Sequence, residues 1–279
     1  MTVYGPQMAG KSTLALFCVA EQQKKYPEKM TAYIDMEQAL DPVLAATYGV
    51  DISKMLISQP MTGEEALDIT EALVRSAGVS CIVVDSVAAL LPTAEDENDM
   101  SQMTIGLQAR LMSKALRKLT PIAAETGTTI IFINQIREKV GSYGNPETTS
   151  GGRALAFYSS VRIEVRAGEP INEKSIRIGH ETKCRVTKNK VAPPFRVGLY
   201  KLIYGKGVDR NSEVVDIGTK AGIIKQGGAW LSYDFHGEEI KAQGKEKFAA
   251  IVAERPELYT EVHDLITGNK SFVIAEGEE

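Results

Sequence analysis

The sequence predicts an α/β protein: a mostly parallel sheet, an antiparallel extension of that sheet, and a small α+β domain near the C-terminus. Strand-like and helix-like runs alternate through the first half of the chain. Residues 81–85 (CIVVD) and 129–134 (TIIFIN) are apolar without alternation, which is typical of strands covered on both faces by helices. After about residue 158 apolar and polar residues alternate, which indicates antiparallel strands with one solvated face.

In the first half, strands and helices are expected in alternating order. The strands are expected at residues 2–4, 31–35, 55–59, 81–85 and 129–134. The helices are expected to begin at Lys11, Asp41, Gly63 and Gly106. Asp41 followed by Pro42 resembles an N-cap with proline at the first helical position, and residues 63–76 carry apolar side chains at helical spacing.

In the second half, antiparallel strands are expected at residues 161–166, 175–188 and 195–205. A last unit begins near residue 227, where residues 229–240 predict a hairpin. Helices are expected at 245–254 and 256–266, and residues 275–279 (AEGEE) form a short acidic tail. We therefore divide the chain into a core of residues 1–226 and a small domain of residues 227–279.

Composition excludes several classes of protein. The chain has 279 residues and 43% hydrophobic composition, enough for a sizeable core. It has no apolar run of about 18 residues and no basic N-terminus followed by an apolar region, so neither a membrane span nor a secretion signal is predicted, and we expect a cytosolic protein. Cys18, Cys81 and Cys184 are far apart in sequence and are expected to be small core residues.

The net charge of −4 hides an uneven distribution. Residues 153–210 contain 13 Lys and Arg against 5 Asp and Glu, which leaves 19 against 31 in the rest of the chain. Such a block could follow a phosphate backbone. It could equally be the solvated face of the strands in this region, and spacing alone does not decide between the two.

The segment GPQMAGKST, residues 5–13, matches the phosphate-binding pattern G-x-x-x-x-G-K-[ST] and lies between a predicted strand and a predicted helix. The glycines let successive backbone N–H groups turn toward the phosphates of a nucleotide, and the helix N-terminus favours negative charge. Lys11 supplies positive charge and Ser12 supplies a hydroxyl for Mg²⁺. The pattern therefore predicts an ATP site.

Polar residues follow three other predicted strands. Asp85 ends the strand 81–85, where a Walker-B aspartate binds Mg²⁺ through water; an N-cap is the alternative. Asp35 and Glu37 follow the strand 31–35, so Glu37 could activate the attacking water, although either acid could be a solvated turn residue. Asn134 and Gln135 end the strand 129–134, where an amide could sense the γ-phosphate.

Several segments, in this order, resemble bacterial RecA recombinases from residue 3 to about residue 266. They are GPQMAGKST, AYIDMEQALDP, IVVDSVAAL, GLQARLMSKALRKL, IFINQIREKVGSYGNPETTSGGRAL, VTKNKVAPPF and GGAWLSYDFHGEEIKAQGK. Other ATPases with this core, such as ring helicases, share the nucleotide loops but not NPETTSGGRAL or AWLSY. The resemblance implies an ATP- and Mg²⁺-dependent filament on single-stranded DNA that pairs it with homologous duplex DNA and exchanges strands, with DNA-dependent ATPase activity.

The resemblance also implies site residues. Glu37, Lys11 and Gln135 would be catalytic. The nucleotide-binding set would be Gly5, Pro6, Gln7, Met8, Ala9, Gly10, Lys11, Ser12, Thr13, Asp41, Asp85, Lys188 and Lys190, with Ser12 and Asp85 holding Mg²⁺. Lys188 and Lys190 would reach the ATP of the next subunit. Residues 95–105 and 136–152 would be DNA-binding loops. The DNA contacts would be Ile105, Arg110, Arg117, Arg137, Val140, Asn145, Gly151, Gly152 and Arg153.

The chain departs from the family pattern at its N-terminus, at Leu44 and in the second DNA-binding loop, which is one residue shorter before Tyr143 and has this tyrosine where the family has phenylalanine. Only four residues precede Gly5, where the family has a helix and strand that dock on the neighbouring subunit, so we expect weaker filament formation. Leu44 stands where the family has an aromatic residue against adenine, although Asp41 could still contact the base. Two alternatives therefore stay open: a truncated module that binds ATP and DNA without assembling, and a ring-type helicase motor.

Overall fold

A computed structural model describes residues 1–93, 106–138 and 147–268. The chain divides into two compact units, Met1–Gly168 with Thr182–Arg196, and Glu169–Glu181 with Val197–Glu279. Among the described residues, no helix is both long enough and apolar enough to cross a membrane.

The first unit is built on a sheet with the strand order β8-β7-β1-β5-β4-β2-β3, and β6 pairs with β5. Its strands are β1 Thr2–Gly5, β2 Met30–Asp35, β3 Met55–Ser58, β4 Val79–Asp85, β5 Thr129–Glu138 and β6 Glu147–Thr149, with parts of β7 Val161–Glu173 and β8 Ile176–Asn189. Its helices are α1 Lys11–Lys25, α2 Pro42–Thr47, α3 Gly63–Arg75, α4 Leu107–Thr126 and α5 Ala154–Tyr158. Strands β1 to β5 pair in parallel wherever they are neighbours, so the predicted parallel core is confirmed.

The sheet of the first unit is covered on both faces. Strand β4 is buried at every position, and its successive residues enter different clusters. Cys81 and Val83 pack with α1 in one cluster, whereas Ile82 and Val84 pack with α3 and α4 in the other. This arrangement explains why the strand reads as an unbroken apolar run. Cys18 and Cys184 also pack against the first cluster, in line with their expected role as core residues.

Strand β7 differs from the expectation for residues 161–166. It was predicted to be antiparallel, but it pairs in parallel with β1, with Thr2 opposite Arg162. The chain between β5 and β7 includes α5 and is long enough for the crossover that parallel neighbours require. Lys174 and Ser175 then have positive φ and reverse the chain into β8, where the antiparallel extension begins.

The second unit contains the expected small α+β region. Besides the outer ends of β7 and β8, its elements are β9 Val197–Ile203, β10 Gly207–Val208, α6 Arg210–Lys220, β11 Lys225–Gly227, β12 Trp230–Phe235, β13 Glu238–Gln243, α7 Lys245–Glu254 and α8 Pro256–Gly268. Strands β11, β12 and β13 form an antiparallel sheet. Its buried side chains pack with those of α6, α7 and α8 in a third cluster. That cluster includes Val214 and Val215 of α6, which precede the predicted domain boundary at residue 226.

Candidate nucleotide and DNA site

The phosphate-binding loop connects β1 to α1 in a tightly turned conformation. Gly10 caps α1 with a φ of 91°, and Met8 also has positive φ. The side chain of Met8 is 80% exposed while Ala9 is fully buried, so the loop is anchored on one side and open on the other. At the start of the loop, a Cβ atom built on Gly5 would lie 1.9 Å from the carbonyl oxygen of Val165. The sheet therefore approaches Gly5 too closely for any larger residue.

Lys11 is held inside this loop. Its Nζ donates to the carbonyl oxygen of Pro6 at 2.6 Å, and the residue is 8% exposed. Burial lowers the pKa of Lys11, while the negative charges of Asp85 and Glu37 act in the opposite direction. The ammonium group and the two predicted carboxylates thus share one site.

Asp85 receives two hydroxyl donors on the same oxygen. Ser12 Oγ donates to Asp85 Oδ2 at 2.6 Å, and Tyr33 Oη donates to the same atom at 2.6 Å. Burial raises the pKa of the Asp85 carboxyl, and these two hydrogen bonds oppose that rise. A serine hydroxyl beside a carboxylate is the hard oxygen donor set that Mg²⁺ prefers, so the residues present fit a magnesium nucleotide.

Glu37 is connected to the ends of two other strands. Its Oε1 accepts from Ser86 Oγ at 2.5 Å and from Gln135 Nε2 at 3.1 Å, and the residue is exposed. The structure therefore brings together Glu37 after β2, Ser86 after β4 and Gln135 in β5. These are the carboxyl ends of parallel strands, where α/β sheets bind ligands.

Asp35 has a different environment from Glu37. It is 2% exposed, and its carboxylate accepts from the backbone N–H groups of Ala39 and Leu40 and from Gln59 Nε2. Asp35 therefore shapes the loop that carries Glu37. Asp35 and Glu37, either of which could have been a solvated turn residue by sequence, thus differ in burial and in their partners.

Asp41 is the N-cap of α2, as its position before Pro42 predicts. Its Oδ1 accepts from the backbone N–H groups of Val43 and Leu44. Asp41 is exposed and Leu44 is half-buried, and Leu44 packs against the first core cluster. The carboxylate of Asp41 is therefore engaged by its own helix in this structure.

Partly buried amide contacts connect β5 and α4 to residues 150–151. Asn134 is fully buried; its Nδ2 donates to the carbonyl oxygen of Ser150 at 2.8 Å, and its Oδ1 accepts from the backbone N–H of Gln135. The N–H of Gly151 donates to Oε1 of Gln108 at 3.1 Å. Gln135, which contacts Glu37, is therefore connected through Asn134 to the segment predicted to bind DNA.

The predicted DNA-contacting arginines are exposed. Arg110 and Arg117 lie on α4, where they line a shallow depression with Ser113, Lys114 and Lys118. Arg137, Gly152 and Arg153 are also exposed, whereas Gly151 is buried. Ile105, Val140 and Asn145 lie outside the described residues, as do residues 95–105 of the first predicted loop and 139–146 of the second.

Lys188 bonds to its own chain. Its Nζ donates to the carbonyl oxygens of Ala156 and Phe157, each at 2.8 Å. Burial lowers the pKa of Lys188, and the positive charges of Lys190 and Arg162 lower it further. Lys190 is exposed. The two lysines that sequence treats as an equivalent pair therefore have different environments.

Sequence reasoning missed three residues of this site: Tyr33, Ser86 and Gln108. Tyr33 lies inside an apolar strand and is expected there to be a core aromatic. Ser86 follows Asp85 directly, and this adjacency could have drawn attention to it. Gln108 offers no comparable signal, because its role depends on a contact with Gly151, which is distant in sequence.

The fold and the phosphate loop define the class: a P-loop nucleotide-binding protein of the α/β type. The chain matches the family models of the RecA N-terminal domain at residues 1–209 and of the RecA C-terminal domain at residues 212–270. It is 50% identical to Protein RecA of Ruminococcus albus, over 98% of this chain and 68% of the relative. It is also 50% identical to Protein RecA of Thermus aquaticus (99% and 81%) and 52% identical to Protein RecA of Oceanobacillus iheyensis (95% and 75%).

The chain therefore belongs to the RecA family of DNA recombinases. It is a DNA-dependent ATPase that uses ATP with Mg²⁺, and its family binds single-stranded DNA and forms filaments. The recombinase prediction is confirmed. The two alternatives, a non-assembling module and a ring-type motor, are not supported by these relatives.

Proposed function

We propose that this chain hydrolyses ATP at the strand ends of its first unit, with Glu37 activating the attacking water, and that hydrolysis controls a recombination filament. The observation that carries the proposal is the pair of contacts on Glu37, from Ser86 Oγ and from Gln135 Nε2. A carboxylate whose orientation is fixed beside a phosphate loop is what water attack on ATP requires, because positioning supplies much of the catalysis.

The phosphate loop binds the nucleotide in this proposal. The backbone N–H groups of residues 5–13 face the phosphates, and Lys11 adds positive charge. Ser12 and Asp85 hold Mg²⁺, the aspartate through water. When bound, MgATP supplies the phosphoanhydride bond, and Mg²⁺ offsets the charge that develops during transfer. Asp41 is proposed to contact the adenine.

Gln135 is proposed to couple ATP binding to DNA binding. Its amide now donates to Glu37, and a γ-phosphate would compete for that amide. Asn134, its neighbour, is bonded to Ser150. A change at Gln135 would therefore be transmitted to the segment that contains Gly151, Gly152 and Arg153, which we propose to contact DNA.

The DNA-binding surface is proposed to include the exposed arginines and both predicted loops. Arg110, Arg117, Arg137 and Arg153 would contact phosphates. The other proposed DNA contacts are Ile105, Val140, Asn145, Gly151 and Gly152. Lys188 and Lys190 would contact the ATP of the next copy in a filament. Homologous duplex DNA would be the second partner, and residues 227–266, which carry Lys241, Lys245 and Lys247, would capture it. Because bacterial DNA lies in the cytoplasm, this function implies a cytoplasmic location.

The test is ATP hydrolysis by the purified chain, with and without poly-dT, over a range of protein concentrations. We expect the strand to stimulate hydrolysis and the rate per chain to rise cooperatively with protein concentration, since the site of one copy is completed by the next. ATP binding with a basal rate that neither poly-dT nor concentration changes would contradict the proposal. Added homologous duplex, followed by strand exchange in a gel assay, tests the second partner.

A further inference from the structure

Tyr33 places a hydroxyl where the core of the first unit meets the phosphate loop. The residue lies in β2, is 2% exposed and packs in the first core cluster. In the parallel pairing of β2 with β4, Tyr33 lies opposite Val83 and Asp35 lies opposite Asp85. The side chain of Tyr33 therefore extends along the strand direction toward Asp85, and its hydroxyl donates to Asp85 Oδ2 at 2.6 Å.

The hydroxyl of Tyr33 is not needed for packing. Phenylalanine would fill almost the same volume, and burial of a hydroxyl costs free energy unless the group is hydrogen-bonded. The contact that offsets this cost is the one with Asp85. That carboxylate is itself 8% exposed and needs donors for its buried oxygen.

We propose that Tyr33 is a positioning residue that holds the Asp85 carboxylate in the orientation required for Mg²⁺. This inference rests on the proposed role of Asp85. Ser12 approaches Asp85 Oδ2 from the first turn of α1, and Tyr33 approaches the same atom from the sheet. Two donors from separate elements restrict rotation of the carboxylate plane. The oxygen of Ser12 keeps lone pairs for a cation while its proton is donated, and Tyr33 supplies the donor that comes from the rigid core.

The test measures the binding of a fluorescent ATP analogue to Tyr33→Phe and to the unmodified chain. Binding is measured during a titration with Mg²⁺ and again in EDTA. Loss of a group that orients a metal ligand typically lowers metal affinity by about 10- to 100-fold. We expect the Mg²⁺ concentration for half-maximal binding to rise about tenfold, while binding in EDTA stays unchanged. Tyr48→Phe is the matched control, because Tyr48 is a buried tyrosine of the same cluster that packs against Phe17; it should leave both values unchanged.

Other outcomes separate this inference from the proposed function. If Asp85→Asn leaves the Mg²⁺ dependence unchanged, the proposed role of Asp85 fails. If Asp85→Asn abolishes that dependence and Tyr33→Phe matches the unmodified chain, the role of Tyr33 is overturned. Equal weakening with and without Mg²⁺ in Tyr33→Phe would mean a general packing role, which also overturns it.

A double-mutant cycle distinguishes an effect of Tyr33 through Asp85 from an independent effect on folding. If Tyr33 acts through Asp85, Tyr33→Phe should have no further effect on Mg²⁺ dependence when Asp85→Asn is already present. Additive effects would contradict the inference. Thermal unfolding of all four chains shows whether each variant is folded at the assay temperature.

Discussion

Glu37 accepts two hydrogen bonds on one oxygen, and its two donors come from different strands. Ser86 follows β4 and Gln135 lies in β5. A carboxylate on an exposed loop would otherwise sample several rotamers. The two donors restrict it before any ligand arrives, and this restriction agrees with a role in orienting water.

Replacing Glu37 with glutamine should separate binding from hydrolysis. The amide keeps the size of the side chain but cannot accept a proton, and general-base catalysis typically contributes about 10²- to 10⁴-fold. We expect the DNA-stimulated ATPase rate to fall by at least about 100-fold, while the affinity for ATP changes by less than about threefold. Steady-state hydrolysis and equilibrium binding of a fluorescent analogue measure the two quantities.

The matched control for this substitution is Glu28→Gln, which removes the same charge from an exposed position after α1. It should leave the hydrolysis rate unchanged. An unaltered rate in Glu37→Gln would remove Glu37 from the catalytic set.

Among the secondary-structure elements, the short helix α5 is stabilised by a side chain from β8. Its five residues are too few for a stable isolated helix, and a helix leaves its last carbonyl groups without backbone partners. The ammonium group of Lys188 bonds to two of these carbonyls, on Ala156 and Phe157. A cation at a helix C-terminus is also favoured by the helix dipole. If Lys188 does reach the ATP of a neighbouring copy, it must first leave α5.

Lys188→Met should therefore loosen α5 in the free chain. Methionine keeps an unbranched stem and removes the ammonium group, and hydrogen bonds to charged groups are worth about 1.5–3 kcal/mol, less where water screens them. We expect the amides of Phe157 and Ser159, which bond within this turn, to exchange hydrogen about tenfold faster. Hydrogen exchange measured by mass spectrometry or NMR tests this.

Lys190→Met serves as the comparison, because Lys190 is exposed and its side chain is not bonded to α5. It should leave the exchange of Phe157 and Ser159 unchanged. Equal exchange in both variants would show that Lys188 does not stabilise α5.

The same elements show what sequence could predict. Strand β4 and helix α3 were predicted because the unbroken apolar run 81–85 and the periodic pattern of residues 63–76 carry their own signal; the elements themselves span 7 and 13 residues. Helix α5 and strand β6, with 5 and 3 residues, are too short for such a signal. In the site, the phosphate loop and the strand-end acids follow from local pattern. The hydroxyl of Tyr33 and the Lys188 contact with α5 depend on partners that are 52 and about 31 residues away, so no local pattern could predict them.

For the whole molecule, the relevant feature is the separation of charge along the chain. The net charge is −4, yet residues 153–210 carry 13 basic against 5 acidic residues. Arg110 and Arg117 on α4 are exposed as well. Local positive charge, and not the sign of the total, determines whether a polyanion is attracted.

Binding of poly-dT should therefore weaken steeply with salt in spite of the acidic total. Each phosphate neutralised on a single strand contributes about −0.7 to the slope of log affinity against log salt concentration. We expect a slope that corresponds to several such contacts. Fluorescence anisotropy from about 50 to 200 mM salt measures the affinity and therefore the slope. Arg110→Ala and Arg117→Ala should each reduce the magnitude of the slope by the contribution of about one phosphate contact. A salt-independent affinity would contradict a surface that binds the phosphate backbone.

The close approach at Gly5 affects how mutational scans of this chain should be interpreted. An added Cβ atom there would lie 1.9 Å from the carbonyl oxygen of Val165 in the neighbouring strand, far inside van der Waals contact, so β1 and β7 would have to separate. Every substitution at Gly5 thus disturbs the sheet as well as the loop. A fitness score at this position reports the survival of the fold, whereas Lys11 and Ser12, which open α1, are the positions at which lost fitness can be assigned to the nucleotide.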